Sequence, residues 1–96
     1  MLTGKQKQYL KSQAVRLPAY VQIGKEGLTD TVIDSVRDVL LARELVKVKI
    51  NQNSDEDIRD TAGLLSRDLD CVIVQIIGRN CVLFKQKEKK SHYELP

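Results

Sequence analysis

Apolar residues recur along this chain at two spacings, and the alternation between them outlines a fold. The segment "LVKVKI", residues 45–50, puts Val46, Val48 and Ile50 on one face and Lys47 and Lys49 on the other, the period of two expected of a strand. Before it, Val32, Ile33, Val36, Val39 and Leu40 recur at helical spacing to about Ala42. Thr29 stands where the N-cap of that helix belongs, Asp30 falls in its first turn, and Leu28 with Ile33 has the spacing of a hydrophobic staple. A third helix is predicted with Ser54 as its cap, Asp55, Glu56 and Asp57 in its first turn, and Ile58, Ala62, Leu65 and Leu69 as its apolar stripe. The acidic triplet compensates the helix dipole; three adjacent side chains cannot all converge on one metal ion.

The ends of the chain complete the pattern. Thr3 and Gln6 form a capping box, and a helix-compatible stretch runs to about Val15 with Tyr9, Leu10 and Ala14 on one side. Its apolar stripe is thin, so this helix is expected on the surface with a broad basic face. Proline disfavours a helical residue before it, so the Leu17-Pro18 step ends the helix, and residues 20–23 read as a short strand. The run "CVIVQII", residues 71–77, suits a sheet interior, and "CVLF" after the turn at Gly78, Arg79 and Asn80 reads as its hairpin partner. The order is helix, then βαβαββ. Two right-handed crossovers set parallel strands with helices packed on them, and the hairpin adds an antiparallel strand. The expected architecture is a small α/β two-layer sandwich over residues 1–85, followed by a polar, flexible tail over residues 86–96.

Composition narrows the function classes. Ninety-six residues with 42% apolar and 30% charged side chains suit one small domain, burying roughly 60–70% of its unfolded surface. No segment approaches the ~18 consecutive apolar residues of a membrane span, and the N-terminus has no export-signal core, so the cytoplasm is the expected location. Cys71 and Cys81 flank the hairpin turn, with Cys81 opposite Ile76 or Ile77. Cys71 then lies roughly 17–20 Å along the strand, beyond the ~7 Å limit for a disulfide, and both read as buried strand residues. The single histidine, His92, lies in the tail, and no nucleophile, base and acid are grouped. Neither an enzyme nor a metal or other cofactor is expected.

Net charge is +3, but it is unevenly placed. Residues 1–25 carry five bases and no acid, residues 26–70 carry six bases and eleven acids, and residues 71–96 carry five bases and two acids. Basic ends around an acidic middle point to a polyanion partner. Gly24 and Gly27 bracket Lys25 and Glu26 at the exit of the first strand, just before a helix N-terminus. Such a bend lets backbone approach another molecule and offers N–H groups next to the positive end of a helix dipole, an arrangement suited to phosphate. The motif alone is weak; its basic surroundings strengthen it.

The segments "LTGKQKQYL", "QIGKEGLTDTVI", "RELVKVKI" and "VQIIGRNCVLFK" together resemble the CRM domain (chloroplast RNA splicing and ribosome maturation), in the bacterial YhbY type that consists of this domain alone. The resemblance implies a four-stranded mixed sheet of order 1-2-4-3, similar to the C-terminal domain of bacterial initiation factor three. It implies an RNA-binding protein that associates with the large-subunit precursor during assembly, and with the absence of grouped catalytic residues the expected function is a non-catalytic factor contacting its ribosomal RNA. It also implies that Gly24, Lys25, Glu26 and Gly27 form an RNA-contacting loop similar to that of KH domains. Charge adds Lys5, Lys7 and Lys11 on the first helix, Arg16 after it, and Arg79 at the hairpin turn, with Lys47 and Lys49 ranked below them. Glu26 departs from the family, where many members carry glycine or a neutral residue, and offsets Lys25. The chain is expected to act as a monomer. The competing reading is a protein-docking module that binds ribosomal proteins or another assembly factor without touching RNA.

Overall fold

The computed structural model describes residues 2–96. Seven elements follow in order: α1 (Gly4–Ala14), β1 (Val21–Ile23), α2 (Asp30–Arg43), β2 (Leu45–Ile50), α3 (Ile58–Leu69), β3 (Val72–Ile77) and β4 (Asn80–Phe84). The strands form one mixed sheet of order β1-β2-β4-β3, with β1 parallel to β2 and β4 antiparallel to both neighbours. This is the predicted α/β sandwich with the predicted strand order.

The local signals act as written in the sequence. Thr3 Oγ1 accepts from the Gln6 N–H at 3.1 Å while Gln6 Oε1 accepts from the Thr3 N–H at 3.0 Å, closing the capping box of α1. Thr29 Oγ1 accepts from the Val32 N–H at 3.2 Å and starts α2. The third helix begins later than its sequence suggests. Asp57, not Ser54, is its N-cap, accepting from the Arg59 and Asp60 N–H groups at 2.8 and 3.1 Å. Ser54 is buried, and its hydroxyl holds the Glu56 N–H in the preceding turn instead.

One core lies beneath α2 and α3, where Val36, Leu40, Ala62 and Leu65 meet Ile23, Val46, Val48, Ile50, Cys81 and Leu83 of the sheet. The alternation in β2 therefore aims as predicted. A second, smaller core covers part of the opposite face, where Leu10 and Ala14 of α1 pack on Leu45, Val74, Val82 and Phe84. The thin stripe of α1 is enough to bury Leu10 completely. The apolar run of β3 suggests a sheet interior, yet β3 is an edge strand. Its two faces are apolar because α1 packs on one and α3 on the other, and a register shift between Ile73 and Gln75 interrupts its pairing with β4. Cys71 and Cys81 are free and buried, and burial pushes their thiols up to about 11 and about 12.

Residues 86–96 form no helix or strand, but they make defined contacts. Tyr93 meets Phe84 edge-on with ring centroids 5.7 Å apart, and Leu95 packs on the second core. The Glu44 carboxylate, in a fully buried residue, accepts from the Lys87 N–H at 2.9 Å, the Ser91 hydroxyl at 2.6 Å and the His92 N–H. Burial opposes its charge, but these hydrogen bonds prevail and hold its pKa below the ordinary 4.5.

Candidate nucleic-acid interface

The register of the sheet places the sequence-derived residues. The Asn51 N–H donates to Ile23 O at 2.9 Å and the Ile50 N–H to Arg79 O at 2.8 Å. The glycine bend, the β2–α3 loop and the β3–β4 turn therefore share one end of the sheet. Ala14 and Val15, where α1 ends, border a groove with Ile77 and Asn80, so α1 arrives at that same end. Its start lies at the other end, where Leu2 and Gln6 stand beside Val72 and Phe84. A helix of 11 residues spans about 16 Å. Lys11 thus lies in the half of α1 nearer that end, by the β3–β4 edge, and Lys5 and Lys7 lie toward the far end, while Leu17, just after Arg16, already borders a groove with Leu45 and Tyr93. Lys5, Lys11 and Arg16 are exposed and Lys7 is half-buried.

The bend is tightly built. The Gly27 N–H donates to Gly24 O at 3.0 Å, closing a turn, and the Thr29 N–H donates to Gly27 O at 3.0 Å. Gly27 is buried with φ +77°, in the left-handed region where a side chain is disfavoured, and a Cβ there would collide with the Glu56 side chain. Glu56 Oε1 accepts from the Leu28 N–H at 3.2 Å. Two of the bend's amides, those of Gly27 and Leu28, therefore already have protein acceptors. The outer arc is open. Lys25 and Glu26 are exposed, Gly24 is half-exposed with nothing within 4 Å of where its Cβ would lie, and the N–H groups of these three have no partner among the described residues. Neither Lys25 nor Glu26 forms an ion pair among the described residues.

Arg79 is exposed at the β3–β4 turn and also braces the neighbouring loop. Its Nε donates to Ile50 O at 3.0 Å, and its Nη2 donates to Asn51 O at 2.7 Å and Ser54 O at 3.1 Å. It pins the loop of residues 51–57, and that loop carries Glu56 to the bend. Beyond the ligand-contacting charge read for Arg79, which is exposed, and the helix-dipole compensation read for Glu56, one clamps a loop and the other accepts from the Leu28 N–H beside the glycine turn. No local signal marks either contact, since 25 to 29 residues separate the partners.

The carboxylates of the helices and strands sort by face, although Arg37, Arg43, Arg59 and Arg67 place cations among those of α2 and α3. Neither α1 nor any of the four strands contains an acidic residue, whereas α2 and α3 carry Asp30, Asp34, Asp38, Asp60 and Asp68. The α1 side presents Lys11, Arg16 and the exposed Lys49, with the half-buried Lys47 beside it.

A family model described as CRS1 / YhbY (CRM) domain matches residues 2–85. The chain belongs to the CRM domain family. Among its relatives, this CRM protein is 43% identical to probable RNA-binding protein YqeI of Bacillus subtilis, across the full length of both chains. It is 34% identical to a Haemophilus influenzae protein named RNA-binding protein, covering 99% of this chain and 95% of the other. Among solved structures, SAV1595 of Staphylococcus aureus superposes over the whole of both chains with a TM-score of 0.82 at 40% identity. The CRM fold is thus common to both chains. No helix among the described residues is long and apolar enough to cross a membrane.

Proposed function

We propose that this CRM protein is a non-catalytic RNA-binding factor that acts in the cytoplasm on ribosomal RNA of the large-subunit precursor. The observation that carries RNA binding is the placement of charge: α1 and the four strands carry lysines and no carboxylate, and the sheet ends at a bend where three N–H groups have no partner among the described residues. Relatives named RNA-binding proteins support RNA as the partner, and the ribosomal target is proposed on the YhbY resemblance alone. Phosphate would sit on the outer arc of Gly24, Lys25 and Glu26, because Gly27 and Leu28 already have acceptors. Lys11, Arg16, Lys47 and Lys49 would supply attraction along the strand, while Lys5 and Lys7 would meet only RNA long enough to reach the far end of α1.

The test is the salt dependence of binding to a single-stranded ribosomal RNA fragment. If lysines and arginines displace counterions from phosphates, log K falls linearly with log salt at a slope of about −0.7 per contact. Several contacts predict a steep slope. A nearly flat slope would favour the protein-docking reading instead.

A further inference from the structure

The side of the sheet that α1 leaves uncovered carries more than charge. Cross-strand pairing puts Gln22, Lys49, Asn80 and Ile77 in one row across all four strands, through the pairs Gln22 with Lys49, Lys49 with Asn80, and Asn80 with Ile77. Directly paired residues point to the same face, so this row stands on the α1 side. The next row is Lys47, Val82 and Gln75, through the pairs Lys47 with Val82 and Val82 with Gln75. Over these two rows lies a groove of about 330 Å3, closed on one side by Ala14 and Val15. Val15 is 79% exposed and Ile77 60% exposed, apolar side chains that the fold leaves without partners.

The geometry points to this groove as a subsite for an unpaired nucleobase, entered by RNA whose backbone rests on the glycine bend. This inference depends on the RNA-binding reading above and adds what the groove selects. Three features match a base rather than a peptide or a duplex. The walls, Val15 and Ile77, are apolar and suit the faces of a ring. The floor carries amide groups of Gln75 and Asn80, which both donate and accept, as the edges of bases require. Lys47 borders the groove and Lys49 stands in the adjoining row, with no carboxylate in either row, so the surroundings complement the phosphates flanking a base. The first row ends at Gln22, two residues before Gly24, so it leads directly from groove to bend.

A paired base has its edge occupied and its faces stacked, and it cannot enter. Selection for single-stranded RNA follows, achieved without an aromatic platform. Tyr9 packs against the second core, Tyr20 is occupied by Arg43, whose guanidinium carbon lies 4.6 Å from its ring centroid, and Tyr93 is packed on Phe84.

The test compares the affinity of the full chain for a mixed-sequence single-stranded RNA with that for the blunt duplex made from it, by fluorescence anisotropy at fixed salt. The single strand is expected to bind about tenfold tighter, a difference of ~1.4 kcal/mol. A Val15→Ser, Ile77→Ser double variant changes two exposed positions without altering charge. It should lose most of that preference, weakening single-strand binding about fivefold or more and duplex binding less than about twofold. Gln75→Met, which keeps length and removes the amide, should also reduce single-strand binding selectively. Equal affinity of the unaltered protein for both RNAs would overturn the subsite while leaving RNA binding intact, as would equal weakening of both RNAs by the variants. Failure to bind either RNA would refute the reading of the whole face.

Discussion

Replacing Gly27 with alanine should destabilise the fold by about 2–5 kcal/mol. A non-glycine residue at φ +77° costs about 1–2 kcal/mol in backbone strain. The new Cβ would also overlap the Glu56 carboxylate, and its Cδ would lie 3.3 Å away. Glu56 must then swing aside, leaving the half-buried Leu28 N–H without its acceptor, at a further cost of about 1–3 kcal/mol. Gly24→Ala is the control. Its Cβ would meet nothing within 4 Å and its φ is not in the left-handed region, so the change should be neutral or slightly stabilising, within about 1 kcal/mol. Urea midpoints of the two variants against the parent protein measure the contrast. Equal midpoints would show that the Glu56 contact and the strained turn do not shape the bend.

The second large effect is on binding. Gly24→Asp puts a carboxylate into open space on the arc where phosphate is proposed to rest, next to the exposed Glu26. RNA affinity should fall about tenfold, equivalent to ~1.4 kcal/mol, because the new charge repels phosphate and competes for the free amides. Thermal unfolding should change by no more than a few degrees, since nothing is displaced. An acidic residue at Gly27 would be a poorer probe, because it would report first on folding. Unchanged RNA affinity for Gly24→Asp, with the fold intact, would remove the bend from the binding surface.

What could be read from the sequence was whatever depends on neighbours in the chain. The capping box of Thr3 and Gln6, the Thr29 cap and the alternation of β2 each involve residues a few positions apart, and each appears where its pattern places it. Asp57 and Ser54 show the limit of that reasoning. Both have capping side chains three residues apart, and the choice fell to Asp57 because the backbone of Ser54 is tied to Asn51 and Arg79. The edge position of β3 was hidden for a related reason, since an apolar run reports that both faces are covered and not that both flanks are paired. In the candidate site, the glycines and lysines were visible, while their division into a closed inner and an open outer arc was not. That division depends on a carboxylate 28 positions away, carried on a loop clamped by Arg79. The contacts of Glu44 with the tail span 43 to 48 positions and leave no local trace either.

Amide chemical-shift mapping of the isotope-labelled protein, titrated with a single-stranded ribosomal RNA fragment, tests most directly which side of the sheet binds. The account predicts that the largest shifts fall on Gln22, Gly24, Lys25, Glu26, Lys47, Lys49, Gln75, Ile77 and Asn80, with α2 and α3 nearly silent beyond their first turns. Shifts concentrated on the exposed faces of α2 and α3, with the bend and the uncovered strands unmoved, would contradict it.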